Sequence, residues 1–346
     1  MKGNWFVKKT NIHILAIESS CDDTSCAVLR DTTVLANKTA GQEIHRLYGG
    51  VVPELASRDH QKNIVPVVDA VIMEAGIGLT DIDAIAVTRG PGLMGSLLVG
   101  LSFAKSLSLA LNRPLIEVNH MQGHVLAHFI DSPLQKKPQF PFLCLTVSGG
   151  HTQLVLVKDH LDVVVLGETI DDAIGEAFDK AAKILGLAYP GGPLIDELAA
   201  KGDPVRFSFA HTKTTGYNYS FSGIKTSFLY FIQNALQKDK DFVQNNINDI
   251  CASYQAHLVN VVLKNVKRVL NDHALTQFAI AGGVSANSEL RRQVKALEKE
   301  LKLHTYIPEF QYCTDNAAMI GIAAYFKYQR SDFSGLYLAP LVKMPL

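Results

Sequence analysis

Two stretches far apart in the chain carry the same pattern. Ile12 to Ile17 is an apolar run that reads as a buried strand, Glu18-Ser19-Ser20-Cys21-Asp22-Asp23-Thr24 is a small polar turn, and Ser25 to Arg30 resumes the strand. Phe142-Leu143-Cys144-Leu145-Thr146-Val147 repeats the run, Ser148-Gly149-Gly150-His151-Thr152 repeats the turn, and Gln153 to Val157 and Val163 to Gly167 return. Setting Ala16-Ile17-Glu18-Ser19 beside Leu145-Thr146-Val147-Ser148 predicts an internal duplication facing a shared cleft. At 346 residues the chain is long for one core, which agrees with two α/β lobes. Hydroxyls and backbone N–H groups in such turns can cradle a phosphate, and Asp can hold a cation. Two such hairpins suggest a nucleotide between the lobes, although an ordinary hairpin turn accounts for either one alone.

The sharpest chemical signal is Asn119-His120-Met121-Gln122-Gly123-His124. Leu115 to Val118 reads as a strand delivering Asn119 and His120 at its carboxyl end, where α/β folds place ligands. At helical pitch His120 and His124 then share one face, one turn apart, and can share a metal ion. The competing reading is a set of satisfied histidines on a half-buried helix. Zinc peptidases use the same spacing but need Glu directly after the first His as general base, and Met121 stands there. A third ligand is available in Thr314-Asp315-Asn316, where Asp315 completes a two-His, one-carboxylate set with open positions. Taken alone, Thr314 or Asp315 reads as a helix cap.

Other segments are less specific. Residues 41–60 read as a Gly/Pro-punctuated loop whose Glu54, Arg58 and His60 lie close together, suited to binding chemistry or to a local ion pair, and which leads into a helix that ends near Ala75. Arg89-Gly90-Pro91-Gly92-Leu93-Met94-Gly95-Ser96 sits between an apolar run and a small-residue helix, Leu97 to Leu111. That is an anion-binding layout without a Walker A signature, and close packing of the helix explains it equally well. Asp131 to Pro141 reads as a connection between lobes. Gly167 to Lys180 reads as a helix with an acidic first turn favoured by the helix dipole, Asp179 lying deeper inside. Tyr189 to Asp196 reads as a tight loop in which Gly192 can lie against a flat ligand. Residues 211–227 interleave aromatics and cations, suited to base stacking or to covering a core edge. Asp249 to Asn271 reads as a long amphipathic helix, and Phe278 to Asn287 as strand, Gly-Gly turn and helix start.

Charge narrows the function class. Lys+Arg and Asp+Glu both number 33, so no global basic field exists for holding nucleic acid, and such affinity would need a local patch or partner proteins. The five cysteines form no C-x-x-C pair, which points to reduced thiols. Met1 to Asn11 carries Lys2, Lys8 and Lys9 but lacks the Arg/Ser character of a mitochondrial presequence. The apolar run behind it is too short for a signal peptide, and no stretch approaches the roughly 20 apolar residues of a membrane span. A cytoplasmic protein without a membrane partner is expected.

Eight motifs in order, Glu18-Ser-Ser-Cys-Asp-Asp-Thr24, Gly49-Gly-Val-Val-Pro-Glu-Leu-Ala-Ser-Arg58, Asn119-His-Met-Gln-Gly-His124, Val147-Ser-Gly-Gly-His-Thr152, Gly175-Glu-Ala-Phe-Asp-Lys180, Tyr189-Pro-Gly-Gly-Pro193, Ala281-Gly-Gly-Val-Ser-Ala-Asn287 and Thr314-Asp-Asn-Ala-Ala318, together resemble one family. It is the universal Kae1/Qri7/TsaD family, in its bacterial TsaD branch: the tRNA N6-adenosine threonylcarbamoyltransferases, once called O-sialoglycoprotein endopeptidases. The resemblance runs from about Ile12 to Tyr337, with Gln122 where Glu is frequent.

The resemblance implies a two-lobed actin/Hsp70/sugar-kinase-like (ASKHA) α/β fold with a central cleft. Residues 1–135 plus 308–346 would form lobe I, with the metal-binding histidines and the C-terminal helix, and residues 136–307 lobe II. One divalent metal per subunit, iron or zinc, would be held by His120, His124 and Asp315 and would carry the catalysis. Threonylcarbamoyl-AMP, and ATP in the same site, would be held by Thr146, Val147, Ser148, Gly149 and Gly150, with Asp179, Gly192, Asp196 and Asn287 around the nucleoside. The acyltransferase reaction would modify adenosine 37 in the anticodon loop of tRNAs reading codons that begin with A, forming t6A. TsaB-like and TsaE-like proteins would be the partners. The competing classes are a metallopeptidase, which Met121 disfavours; an ASKHA small-molecule kinase or ATPase, which would not need the two histidines and Asp315; and a non-catalytic scaffold, which would tolerate Asp315→Ala.

Overall fold

The computed structural model describes residues 10–346; Lys2, Lys8 and Lys9 lie outside the described residues. The chain opens with β1 (His13–Glu18), β2 (Thr24–Arg30) and β3 (Thr33–Ala40), then α1 (Pro53–Ala75), β4 (Ala84–Gly90), α2 (Met94–Leu111), β5 (Leu115–Asn119) and the short α3 (His120–Leu126). There follow β6 (Phe142–Val147), β7 (Thr152–Asp159), β8 (Asp162–Glu168), α4 (Ile174–Ile184), α5 (Gly191–Ala199), α6 (Ser222–Lys238) and α7 (Phe242–Asp272). The remainder is β9 (Gln277–Ala281), α8 (Ser288–Leu301), β10 (His304–Tyr306) and α9 (Ala317–Gln329).

These elements make two compact units. The first gathers the chain up to Gln42, Val51–Lys136 and Asp315–Leu346; the second holds Glu43–Gly50 and Lys137–Thr314. The first sheet runs β3-β2-β1-β4-β5, the first two pairings antiparallel and the last two parallel. The second runs β8-β7-β6-β9-β10 with the same directions in the same order. The repeated pattern in the sequence is thus a repeated sheet topology.

In the first unit β1 is buried on both faces, which is why it reads as a continuous apolar run. Leu15 and Ile17 join Val28, Ile85 and Val87 against Val67 and Val71 of α1 and Leu101 and Ala104 of α2. The intervening residues belong to the face covered by α9, where a Cβ on Gly321 would stand 2.3 Å from Leu29 Cδ1. In the second unit Leu143, Leu145, Val147 and Leu154 pack with Phe178 of α4, Phe228 of α6 and Tyr254, Leu258 and Val262 of α7.

Several boundaries depart from the sequence reading for local reasons. Pro53 occupies the first turn of α1, where its missing N–H is harmless, so the helix starts inside the expected loop. Glu54 and Arg58 therefore sit one helical turn apart as an exposed ion pair at 2.7 Å, and His60 is buried. Strand β3 escaped notice because its edge position leaves its polar residues half-exposed and its apolar pattern broken. Helix α5 starts at Gly191, so Gly192 and Asp196 are helical and the loop is shorter than expected. Helix α2, 18 residues with a mean hydropathy of 1.5, has the length and composition of a membrane span, against the expectation that no stretch does. In the fold its Leu97, Gly100, Leu101 and Ala104 are buried, and it packs on β4 and α1.

One turn in the second unit depends on glycine. Gly282, after β9, has φ +88, and a Cβ there would lie 2.5 Å from Val147 O. Gly282→Ala is expected to destabilise the protein by more than about 1 kcal/mol, since the left-handed backbone and the clash act together. Equal urea midpoints for the two proteins would contradict this.

Candidate metal centre and nucleotide-binding loops

Strand β5 ends at Asn119, whose Oδ1 accepts from Met121 N at 2.9 Å and Gln122 N at 3.3 Å and so caps α3. The cap starts the helix at His120 and puts His124 one turn further on. Asn119 Nδ2 donates to the carbonyls of Met344 and Pro345 at 3.2 and 3.0 Å, which ties this corner to the C-terminal segment. The two imidazole rings stand edge to face with centroids 4.8 Å apart. Between them Gly123 lets α3 approach α9: a Cβ there would lie 3.0 Å from Ile320 Cδ1 and 3.3 Å from Met319 O.

Helix α9 is capped by Asn316, whose Oδ1 accepts from Met319 N at 3.0 Å. Thr314 and Asp315 do not fill the cap position suggested by the sequence. Asp315 turns to the histidines instead, its Oδ1 lying 3.2 Å from His124 Nε2 and 3.4 Å from His120 Nε2. One ligand atom from each of the three lies within 4.8 Å of the others. Both imidazoles are buried, while the Asp315 side chain keeps 27% of its exposure, so the group has an open side.

Charge is distributed unevenly over the trio. Burial opposes a charge on His120, but Asp315 and then Glu18 outweigh it and hold the pKa well above the ordinary histidine value of 6.5. Burial pushes His124 down, and the neighbouring His120 adds to the effect. Burial tends to raise the Asp315 carboxyl, but His120 and then His124 hold it below the usual carboxylate range. His124 Nδ1 is buried with no hydrogen-bond partner among the described residues. Two imidazole nitrogens and a carboxylate oxygen aimed at one another, with an open side, fit a divalent first-row ion.

The raised pKa of His120 means that an ion held by the trio would compete with a proton on that ring. Apparent metal affinity would then be full above the raised pKa and would fall as pH drops through it, by about tenfold per pH unit for one displaced proton. Titration calorimetry with Zn2+ between pH 6 and 8 should show this decline; a flat affinity would contradict it.

Two other histidines, His60 and His128, are held in place by side-chain hydrogen bonds. His60 has Nδ1 at 2.7 Å from Thr24 Oγ1 and Nε2 at 3.0 Å from Cys21 O, and His128 Nδ1 is 2.8 Å from Gln135 Nε2.

In the second unit Thr146 and Val147 end β6 with buried side chains, and Thr146 Oγ1 bonds Gln153 O at 3.4 Å, so only their backbone faces the turn. Ser148 closes that turn: its N–H donates to His151 O at 2.9 Å and its Oγ accepts from His151 N at 3.1 Å. Gly149 and Gly150 border open space, a Cβ on either meeting nothing within 4 Å. Asp179 Oδ1 accepts from Gly191 N at 2.8 Å and Gly192 N at 3.3 Å, capping α5, and burial pushes its carboxyl above the ordinary value despite those bonds. A Cβ on Gly192 would find only Phe178 Cβ, at 3.9 Å. Asn287 caps α8 through Oδ1 to Leu290 N at 3.0 Å, while its Nδ2 reaches Gln255 Oε1 at 3.0 Å and Asp196 Oδ1 at 3.3 Å. Asp196 also accepts from Ser288 Oγ at 2.6 Å and Ser288 N at 3.0 Å.

The acidic segment before α4 works differently from the helix-dipole reading. Asp171 Oδ1 accepts from Phe221 N at 2.7 Å at the start of α6, and Asp172 bonds Lys180 at 2.9 Å and Lys225 at 3.1 Å. Sequence reasoning missed Gln255, Ser288 and the caps Asn119 and Asn316. Gln255 could have been found as a buried polar residue between apolar positions of α7.

A family model described as TsaD, tRNA N6-adenosine threonylcarbamoyltransferase, matches residues 33–322. The tRNA N6-adenosine threonylcarbamoyltransferase of Christiangramia forsetii is 58% identical over 323 residues, 93% of this chain and 95% of that protein. The protein of the same description from Porphyromonas gingivalis is 53% identical over 338 residues, 97% and 99% of the two chains. Among solved structures, T. kodakarensis HypF is similar with a TM-score of 0.58 at 13% identity, across 94% of this chain and 48% of that one. The last likeness bears on the fold alone, and it agrees with the α/β fold of ASKHA type.

Proposed function

The chain belongs to the TsaD family, the tRNA N6-adenosine threonylcarbamoyltransferases, and on that premise we propose that it transfers the threonylcarbamoyl group from threonylcarbamoyl-AMP to N6 of adenosine 37 in tRNAs reading codons that begin with A. In the reaction N6 attacks the carbamoyl carbonyl carbon, the bond from that carbon to the phosphate oxygen breaks, AMP leaves with the electron pair, and N6 gives up a proton. The product is t6A. The observation that carries the reading is the convergence of His120 Nε2, His124 Nε2 and Asp315 Oδ1 in a chain that the family model matches over residues 33–322.

His120, His124 and Asp315 would hold one divalent ion, Fe2+ by preference or Zn2+, which when bound supplies Lewis acidity toward the carbonyl or phosphate oxygen. The adenylate is assigned to the second unit. Gly149 and Gly150 offer backbone N–H groups with room in front of them, Gly192 leaves space for a flat ring, and Asp179, Asp196 and Asn287 are already fixed by mutual and helix-cap bonds. Thr146 and Val147 contribute as the strand end that carries the turn. Such prior fixation spares ordering cost when ligand binds. The lobe assignment proposed is residues 1–135 with 308–346 for the metal and 136–307 for the adenylate, with ATP able to use the same nucleotide site.

The equal counts of acid and base, 33 each, support reliance on TsaB-like and TsaE-like partners for tight tRNA binding, and the tRNA substrate supports a cytoplasmic location. A kinase of this fold would leave the three converging ligands without a role. The test is to combine the purified protein and the two partner proteins with threonylcarbamoyl-AMP and unmodified tRNA, and to measure t6A and AMP by mass spectrometry. Equimolar t6A and AMP is the expected result. AMP without t6A, or no turnover with metal-loaded protein, would refute the reading.

A further inference from the structure

Glu18, the last residue of β1, is fully buried. A carboxylate in that position is costly unless its lone pairs are filled by donors. Ser20 N donates to Oε1 at 2.5 Å, Thr88 Oγ1 donates to Oε2 at 2.5 Å, and His120 Nδ1 lies 3.0 Å from the same Oε2. The donors come from three elements: the turn after β1, the parallel neighbour β4, and α3. Their positions are set by the sheet register, with Ile17 opposite Val87, and by the Asn119 cap.

An ionised carboxylate only accepts, so the contact at 3.0 Å requires a proton on His120 Nδ1, an atom that Ser20 Oγ also approaches, at 3.2 Å. With that proton held by Glu18, the proton on Nε2 is the one an ion would displace, and the freed lone pair faces Asp315 and His124. His124 has no equivalent lock, since its Nδ1 finds no partner among the described residues. We propose that Glu18 is a positioning residue for the metal centre: it fixes the tautomer and ring orientation of His120, the one imidazole of the pair that is held from behind, and so sets the affinity for the ion. This inference rests on the metal-binding reading of the trio. Carboxylates behind ligating histidines generally act in this way, and their loss typically weakens binding by about 10–100-fold.

A purely structural role for Glu18, stapling the turn to β4, would change stability and leave metal binding alone. The experiment therefore uses the full chain and titrates Zn2+ calorimetrically, records the visible absorption of the Co2+-loaded protein, and measures melting of the metal-free protein. The parent, Glu18→Gln, Thr88→Val and His124→Ala are compared. Glu18→Gln is expected to raise the Zn2+ Kd by about 10–100-fold and to alter the Co2+ bands, beyond anything its melting temperature accounts for. Thr88→Val, which keeps the carboxylate but removes a donor to the oxygen facing His120, is expected to weaken binding less, and it carries the test if Glu18→Gln does not fold. Parent-like Kd and spectrum in the folded variants would overturn the proposal while the metal reading stands. A parent protein that binds neither ion would overturn the metal reading itself.

Discussion

His124→Ala is expected to yield a folded protein that no longer retains a divalent ion and transfers threonylcarbamoyl at a rate lower by about a thousandfold or more. Lewis acidity at a carbonyl or phosphate oxygen is worth several kcal/mol, and each 1.4 kcal/mol is a factor of about ten. Two remaining ligands hold such an ion poorly. The fold should survive because the deleted imidazole leaves no orphaned donor on its Nδ1 side, where no partner exists among the described residues, and because α3 keeps its Asn119 cap. Asp315→Asn should behave alike, since it keeps the side-chain shape and removes the charge facing both rings. Metal content by plasma mass spectrometry, with single-turnover rates on the same preparations, checks the expectation. A variant that lost the ion yet kept the parent rate would separate the trio from the chemistry.

Asn287→Ala is expected to act on stability and adenylate affinity together. Loss of the α8 cap costs about 1 kcal/mol. The change also leaves Gln255 Oε1 without the Asn287 donor, a buried acceptor worth about 1–3 kcal/mol if left unfilled. A total near 2–4 kcal/mol should appear as a lower urea midpoint, with a raised KM for threonylcarbamoyl-AMP. Asn287→Asp separates the two effects. Aspartate caps a helix as well as asparagine does, but it would set a second carboxylate against Asp196 Oδ1, 3.3 Å from the present Nδ2. The KM defect should persist with a smaller loss of cap energy. Parent-like KM in both variants would remove Asn287 from the nucleotide site.

The parts of the fold legible in the sequence were those where one physical demand dominates. The apolar runs of β1 and β6 could only be buried strands, and the spacing of His120 and His124 put them on one helical face. What stayed hidden depended on partners distant in sequence. Whether Asp315 is a cap or a ligand turned on Asn316, a competing cap one residue away, whose role shows only in its bond to Met319 N. Asp171 and Asp172 looked like dipole residues because, apart from Lys180, their partners Ser220, Phe221 and Lys225 lie about fifty positions further along. Glu54, Arg58 and His60 read as a loop cluster because the preceding glycines hid the helix start at Pro53. Glu18 showed in the sequence only as the polar end of a strand, and its contact with His120 required the sheet register and the α3 cap to be known.

The central claim is most directly tested by nucleoside mass spectrometry on bulk tRNA from cells depleted of this protein and rescued with either the parent chain or His124→Ala. The account predicts that t6A falls on depletion, returns with the parent chain, and stays low with the variant at equal protein level. Unchanged t6A on depletion, in cells with no second gene of the family, or full rescue by His124→Ala, would contradict it.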